Sequence, residues 1–345
     1  MKSYVRYAAY ALSFLLVLSV CLILLGEVFA PKATTDPSII RDEVDARILT
    51  APEDTVDVLF MGNSEMLAHV SPVTLWEEEG IASLNLGSVG QFFYLVNGYL
   101  KLAQTRQTPR LVVLDMDALF LWEVRGENYM INRIGEVFSI FRNHDRWKEP
   151  YREKLLITDA EKKKDGKDKE RIEKTRKLKG YYYSMEVKAA ADFDYMKPCP
   201  DGEPTSMWNR LAFQDIVRYC RNHELPLLLV STPSIKNWSD AKHETVQLLA
   251  DENDLPYLDM NLYVDELGID WDADSRDAGD HLNDRGAQKV SRFLADYLKE
   301  HYDLPDRRSE EKYAQTYEEA AAYYHELAAA DKKGAEKQGK ELTAS

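Results

Sequence analysis

The spacing of apolar and polar positions changes character along the chain. From Ala8 to Gly26 nineteen residues pass without a charge, and the run is apolar on every face, unlike a surface helix. Five short apolar runs come later: VDVLFMG at 56–62, SLNLG at 83–87, RLVVLDMD at 110–117, LPLLLVST at 225–232 and LPYLDMN at 255–261. Each is closed by Gly, Asn, Asp or a Thr-Pro step, and each reads as a buried strand followed by a turn. Between them the apolar period lengthens to that of a helix. SPVTLWEEEG (71–80) has Pro72 in its first turn and Gly80 after its end, the usual helix punctuation. Leu95, Tyr99 and Leu102 share a face within 91–103. Leu211, Ile216, Val217 and Cys220 do so within 207–222, with Thr205 or Ser206 as the N-cap. A further helix is predicted over 240–253, and another over 287–301 through Val290, Phe293, Leu294, Tyr297 and Leu298. Strands alternating with helices predict a parallel sheet covered on both faces. The expected class is α/β: a three-layer α/β/α sandwich on a flavodoxin-like, mostly parallel five-stranded sheet.

At about 1.5 Å per residue the first apolar run is long enough to cross the hydrocarbon core of a bilayer. Lys2 and Arg6 precede it and Glu27 follows, which favours a cytoplasmic N-terminus and an exported body. Residues 1–30 are therefore read as a transmembrane anchor. A cleaved signal peptide is the alternative, since Val28-Phe29-Ala30 loosely resembles a cleavage site. The anchor is preferred, because Pro31 would follow the cut and the run exceeds a usual signal core. Both readings export the remainder, so the expected location is a single-pass protein of the cell membrane with its body outside. Residues 31–53 read as a tether and 54–305 as the folded body.

Composition narrows the partners. Of 345 residues, 44 are Lys or Arg and 59 Asp or Glu, a formal charge of −15. A chain this acidic is a poor candidate for holding nucleic acid, which needs clustered cations. With 45% hydrophobic residues the chain can bury a large core without staples. Cys21, Cys199 and Cys220 are too few for a disulfide framework, and two unpaired thiols are expected outside the apolar run, a single Cys199–Cys220 bridge being the alternative for an extracellular domain. No Cys/His cluster has zinc spacing, and the Asp-rich 265–280 stretch lacks calcium-loop spacing. No metal or cofactor is expected. A charged excursion is expected at about 140–205, with ten Lys/Arg and five Asp/Glu within 160–179, read as an exposed helix. Residues 306–345 form an Ala/Glu/Lys-rich tail. It is expected to be helical over Glu310–Ala330, docked by Tyr313, Tyr317, Tyr324 and Leu327, and disordered from Asp331 onward.

Ligands of a parallel sheet bind at the carboxyl ends of its strands. Gly62-Asn63-Ser64-Glu65 follows the first strand and Gly87-Ser88-Val89-Gly90-Gln91 the second. Asp115-Met116-Asp117 ends the third. Thr232-Pro233-Ser234, then Asn237-Trp238, follow the fourth. The loop after the fifth holds Asp277, Gly279, Asp280, His281 and Asn283. One serine, one histidine, several aspartates and two glycine-rich turns would share one rim. Those are the parts of an acyl-transfer centre: a hydroxyl nucleophile, a base held by a carboxylate, and backbone donors for an oxyanion.

These loops resemble blocks of the SGNH (GDSL-like) hydrolases. GNS at 62–64 looks like their nucleophile block, NLG at 85–87 like their second block, and DAGDHLNDRGAQKV at 277–290 like their last. The resemblance covers about 54–303. It is closest to membrane-anchored, exported Gram-positive members carrying KNW after strand four, which are similar to the D-alanyl-transfer proteins of teichoic acid modification and to alginate O-acetylation proteins. The resemblance implies Ser64 as nucleophile, His281 as base, and the N–H groups of Gly87 and Ser64 as oxyanion donors. It implies a cell-surface polysaccharide or teichoic-acid-like acceptor, and a membrane-bound O-acyltransferase as partner. Asn63, Asn237 and Trp238 are candidates to face substrate, Trp238 either by stacking on a sugar or as a packed anchor.

Two departures bear on the chemistry. The family aspartate, three residues before the histidine, is replaced by Ala278, leaving Asp277 or Asp280 as the acid. Asp277 is preferred, because neighbouring side chains such as Asp280 and His281 diverge. The family's G-x-N-D block is missing, and Asp115-Met116-Asp117 stands there. Losing that asparagine removes an oxyanion donor worth about 3 kcal/mol in comparable sites; Gln91 is a candidate to compensate. The expected function is an exported serine-dependent esterase or O-acyltransferase acting on cell-surface glycopolymers. A degenerate domain that binds polymer or a membrane partner is the alternative, and an interaction protein acting through excursion and tail is a third.

Overall fold

The computed structural model describes residues 2–29, 43–121, 126–138, 159–191, 193–199 and 201–343. The cleavage-like step at Ala30, the tether over 31–42 and the start of the excursion (139–158) lie outside the described residues.

The five apolar runs form the five strands of one sheet: β1 (Val58–Met61), β2 (Ser83–Asn85), β3 (Leu111–Asp115), β4 (Leu227–Ser231) and β5 (Tyr257–Asp259). Their order is β2-β1-β3-β4-β5. Every pairing is parallel, with Val58 beside Ser83 and Leu111, and Leu229 beside Tyr257. The sheet is thus wholly parallel, and the order in which strands are added switches side between β1 and β3. The strands are buried on both faces, as a parallel sheet with helices on each side requires.

Alternation along the strands sorts the core into two layers. Leu59, Met61, Val112, Leu114, Leu227 and Leu229 meet helices α2 (Glu43–Thr50), α5 (Phe93–Gln104), α8 (Met207–Asn222) and α9 (Asp240–Glu252). Val58, Phe60, Leu111, Val113, Leu228 and Val230 meet α3 (Ser64–His69), α4 (Pro72–Glu79) and α11 (Asp284–His301). The result is a three-layer α/β/α sandwich. The caps follow the sequence punctuation: Ser71 accepts the Thr74 N–H at 3.3 Å, Ser206 accepts from Trp208, and Gly80 ends α4 in the left-handed conformation.

α1 (Lys2–Phe29) contains a 23-residue stretch, Tyr4–Gly26, of mean hydropathy 2.6 and with no burial against the body. It spans about 35 Å, compatible with a single-pass anchor or a signal peptide. The remaining helices are α6 (Gly126–Val137), α7 (Asp159–Lys177), the single turn α10 (Val264–Leu267) and α12 (Glu311–Thr343).

Three expectations change. The second half of the 31–53 tether belongs to the body: α2 buries Val44, Ala46 and Ile48, and Arg47 Nη1 donates to the Asn85 and Gly87 carbonyls at 2.7 and 2.8 Å. The charged excursion is packed on one side. Lys174, Lys177 and Lys179 lie 4.6 to 5.0 Å from the ring centres of Tyr183, Tyr323 and Tyr317, where an ammonium meets the negative face of an aromatic ring. Burial pushes the Lys179 ammonium down to about 8. The tail does not lose its helix at Asp331. α12 runs on to Thr343, and Asp331 accepts the Tyr183 hydroxyl at 2.8 Å. Tyr317 stacks on Trp76 at 4.8 Å, and Tyr324 donates to Asp284 at 2.9 Å. Tyr317 and Tyr324 thus dock the tail as expected; the Tyr183–Asp331 contact carries no sequence period, so composition alone gave the wrong end point. The three cysteines are unpaired, Cys220 buried and Cys199 half-buried.

Candidate functional site

The carboxyl ends of β1, β2, β3 and β4 and the loop before α11 meet on one rim. Gly62 lets β1 turn there. A Cβ on it would lie 2.6 Å from the Asp115 Cβ and 2.9 Å from that of Met66, so only hydrogen fits. Asn63 caps the next helix: its Oδ1 accepts the Glu65 N–H at 3.0 Å and its Nδ2 donates to Asp117 at 2.6 Å. Ser64 stands at the first position of α3, half-buried. Its N–H has no intrahelical acceptor at that position and makes no hydrogen bond among the described residues.

His281 sits in a tight hairpin closed by the Ser275–Leu282 bridge, with the Arg276 N–H on the His281 carbonyl at 2.9 Å. Asp277 folds back across the turn. Its Oδ1 accepts the His281 backbone N–H at 2.6 Å, and its Oδ2 meets the ring Nδ1 at 2.7 Å. The turn places Ala278 at φ +66° and Gly279 at φ +92°, a region that costs a residue with a Cβ about 1–2 kcal/mol. The Ala278 N–H to the Lys188 carbonyl and the Gly279 N–H to Ser275 Oγ hold it there. Burial raises the Asp277 carboxyl, but the two His281 hydrogen bonds and charge, with Arg276, outweigh it and keep it below the usual carboxylate range. A carboxylate on Nδ1 keeps the ring proton there and leaves the Nε2 lone pair available. His281 Nε2 is buried and has no partner among the described residues.

Asp280 points elsewhere. Its Oδ1 accepts Asn237 Nδ2 and its Oδ2 pairs with Lys236 at 3.2 Å. The ring therefore has Asp277 as its hydrogen-bonded carboxylate. Oxygens of Asp277 and Asp280 and a nitrogen of His281 lie within 4.8 Å of one another, close enough to share a cation. Each carboxylate, however, already has a donor of its own.

Several residues expected on the rim do other work. The Gly87 N–H donates to Asn85 Oδ1 at 2.9 Å, so it does not face the rim as an oxyanion donor. Gln91 is buried and engaged at both ends: Oε1 accepts the Gly62 N–H at 3.1 Å and Nε2 donates to the Leu86 carbonyl at 2.7 Å. Asn63 is a helix cap with both ends of its amide engaged. Trp238 is a packed anchor: it is 5% exposed, its Nε1 donates to Asp259 at 2.9 Å, and its ring meets Phe120 edge-on. No hydrogen bond joins Ser64 Oγ to His281 Nε2 in this structure. The two loops are joined instead through Asn237, whose Nδ2 also donates to Glu65 Oε1 at 3.0 Å. Catalytic hydrogen bonds are often long without substrate and tighten on binding.

Two features escaped the sequence reading. His69 is fully buried at the end of α3 beside His281, ring centres 6.0 Å apart. Its Nε2 accepts the Leu282 N–H at 2.9 Å, so its proton sits on Nδ1, which faces Thr232 Oγ1 at 2.7 Å. Burial, His281 and Arg276 hold its pKa well below the usual imidazole range, so the ring is a neutral strut under the His281 backbone. A lone histidine in a helix gives no signal for this. The second feature is a buried acid pocket lined by Glu65, Asp115, Asp117, Ser231, Thr232, Ser234 and Trp238. Burial, then Asp117 and Asp115, push the Glu65 carboxyl well up, and burial with Asp117 pushes Asp115 up to about 8.

That pocket has a pH signature. Asp115 keeps its proton when folded but loses it above about pH 4 when unfolded. Its contribution is therefore full below that pH and is lost as pH rises toward 8. Thermal unfolding at pH 5, 6.5 and 8 should show a smaller decline in Tm for Asp115→Asn than for the parent. An equal decline in both would mean that Asp115 is ionised in the folded state.

No protein-family model matches this chain, and no curated protein does. The likeness to SGNH hydrolases rests on the three sequence blocks.

Proposed function

We propose that the protein is a membrane-tethered, exported serine-dependent acyl-transfer enzyme, an esterase or O-acyltransferase of the SGNH type acting on cell-surface glycopolymers. The observation that carries this reading is the Asp277–His281 pair with an unpartnered, buried Nε2 on the rim that holds Ser64. A buried acceptor without a partner costs about 1–3 kcal/mol, and such a cost is found where a group has a task beyond packing. In this reading Ser64 Oγ attacks an acyl carbonyl as its proton passes to His281 Nε2. The Oγ–acyl bond forms, the alkoxide leaves and takes the proton from the ring. A sugar hydroxyl or water then reverses the sequence. The Ser64 N–H is the oxyanion donor the site retains, and Asp277 fixes the tautomer. A membrane-bound O-acyltransferase would supply the acyl group, and a polysaccharide or teichoic-acid-like polymer would accept it.

A second reading has specific support. Gly87 and Gln91 are engaged internally, which leaves the oxyanion site short of donors and favours a domain that binds polymer or a membrane partner without turnover. Hydrolysis of p-nitrophenyl acetate by the full chain in detergent separates the two. Turnover is expected, falling at least a hundredfold in Ser64→Ala. Turnover unchanged by that substitution, or absent in the folded parent, favours the binding domain.

A further inference from the structure

The loop after β4 lies between the two halves of the site. The Asn237 side chain touches both. Its Nδ2 donates to Glu65 Oε1 at 3.0 Å, one residue from Ser64, and to Asp280 Oδ1, one residue from His281. The loop is itself anchored. Ser234 Oγ donates to the Gly279 and Asp280 carbonyls at 3.3 and 2.9 Å, the Lys236 N–H donates to the Gly279 carbonyl at 3.1 Å, and the Asn237 carbonyl accepts Lys242 Nζ, which pairs with Asp117. Asn237 is thus held at its backbone while its amide bridges two acids.

From this geometry we infer that Asn237 is a positioning residue that holds the Ser64 and His281 loops in one frame and keeps the Asp280 carboxylate off the His281 ring. His281 has two carboxylates within reach, Asp277 and Asp280, whose oxygens lie within 4.8 Å of a ring nitrogen and of each other. Only Asp277 can fix the productive tautomer, because it faces Nδ1. A freed Asp280 is able to close that distance and contact the ring, and a second carboxylate in contact favours the imidazolium, which is not a base. Asn237 and Lys236 occupy both Asp280 oxygens and prevent this. An amide suits the position: it donates to a carboxyl on each side and brings no charge of its own. A carboxylate there would place three acids side by side.

The inference deepens the acyl-transfer reading and rests on it for its catalytic consequence, but its structural part is testable without turnover. The other groups facing the ring are Arg276, His69 and Asp277, and all stay in place in the variants. The experiment records nitrogen NMR spectra of the His281 ring at one fixed pH in the full chain in detergent micelles, for the parent, Asn237→Ala, and Asn237→Ala with Asp280→Asn. Folding is checked by thermal unfolding. In Asn237→Ala the ring nitrogen shifts should move as a second carboxylate closes on the ring, and in the double variant they should return to the parent values. On p-nitrophenyl acetate, kcat should fall about tenfold in Asn237→Ala with KM little changed, and the double variant should recover much of it. A His281 spectrum unmoved by Asn237→Ala overturns the inference. So does a double variant no closer to the parent than the single one, because loop disorder alone would not be cured by removing Asp280. If the parent hydrolyses no ester, the acyl-transfer reading fails, and the ring spectrum still decides the role of Asn237.

Discussion

Asp277→Asn is expected to lower ester turnover about ten-thousand-fold with the fold intact, the scale seen when the carboxylate of such a triad becomes an amide. The Asn Oδ1 can still accept the His281 backbone N–H, now at 2.6 Å, so the hairpin survives. The other arm changes from acceptor to donor. It would stand 2.7 Å from Nδ1 and drive the ring proton to Nε2, where the base lone pair is needed. The loss should appear in kcat, and Tm should stay near that of the parent. Asp280→Asn should cost far less, since its oxygens face Asn237 and Lys236. If the two substitutions exchange these effects, the acid has been assigned to the wrong residue.

Asn85→Ala is expected to destabilise the fold by about 3–5 kcal/mol, at the upper end for single substitutions. Asn85 is fully buried at the end of β2. Its Nδ2 donates to the Met66 and Val70 carbonyls at 2.7 and 2.8 Å, and its Oδ1 accepts the Gly87 N–H at 2.9 Å. Alanine leaves the Val70 carbonyl and the Gly87 N–H without partners, each costing about 1–3 kcal/mol, and takes from the Met66 carbonyl one of its two donors, the other being the Val70 N–H. Denaturant unfolding should show a lower midpoint with an unchanged slope. A loss under 1 kcal/mol would mean that water or a shifted strand satisfies those groups.

Much of the fold was legible because its signals are local. The five apolar runs are buried on both faces, so they read as continuous strings such as LLLVS and LVVLD, and their turn residues mark the ends. Pro72 and Gly80 bracket α4 as their backbone preferences require. The arrangement of the rim followed from the topology, which brings Ser64 and His281 to the same end of the sheet. What stayed hidden depends on contacts distant in sequence. α2 looks like linker until Arg47 is seen on the Asn85 and Gly87 carbonyls. Trp238 looks like a sugar platform until its indole N–H is found on Asp259, which fixes it inward. The Gly87 motif was visible, but the direction of its N–H depends on an Asn85 side chain that no spacing rule reports. His69 and Glu65 became site residues only through neighbours more than a hundred positions away, Thr232 and Asn237.

The most direct measurement is covalent labelling of the full chain in detergent with a fluorophosphonate, mapped to the residue by mass spectrometry. A phosphonyl adduct on Ser64 is expected, formed at least a hundredfold more slowly in His281→Ala. An adduct elsewhere, no adduct on a folded chain, or labelling of Ser64 at the same rate without His281 would contradict a serine centre activated by the Asp277–His281 pair.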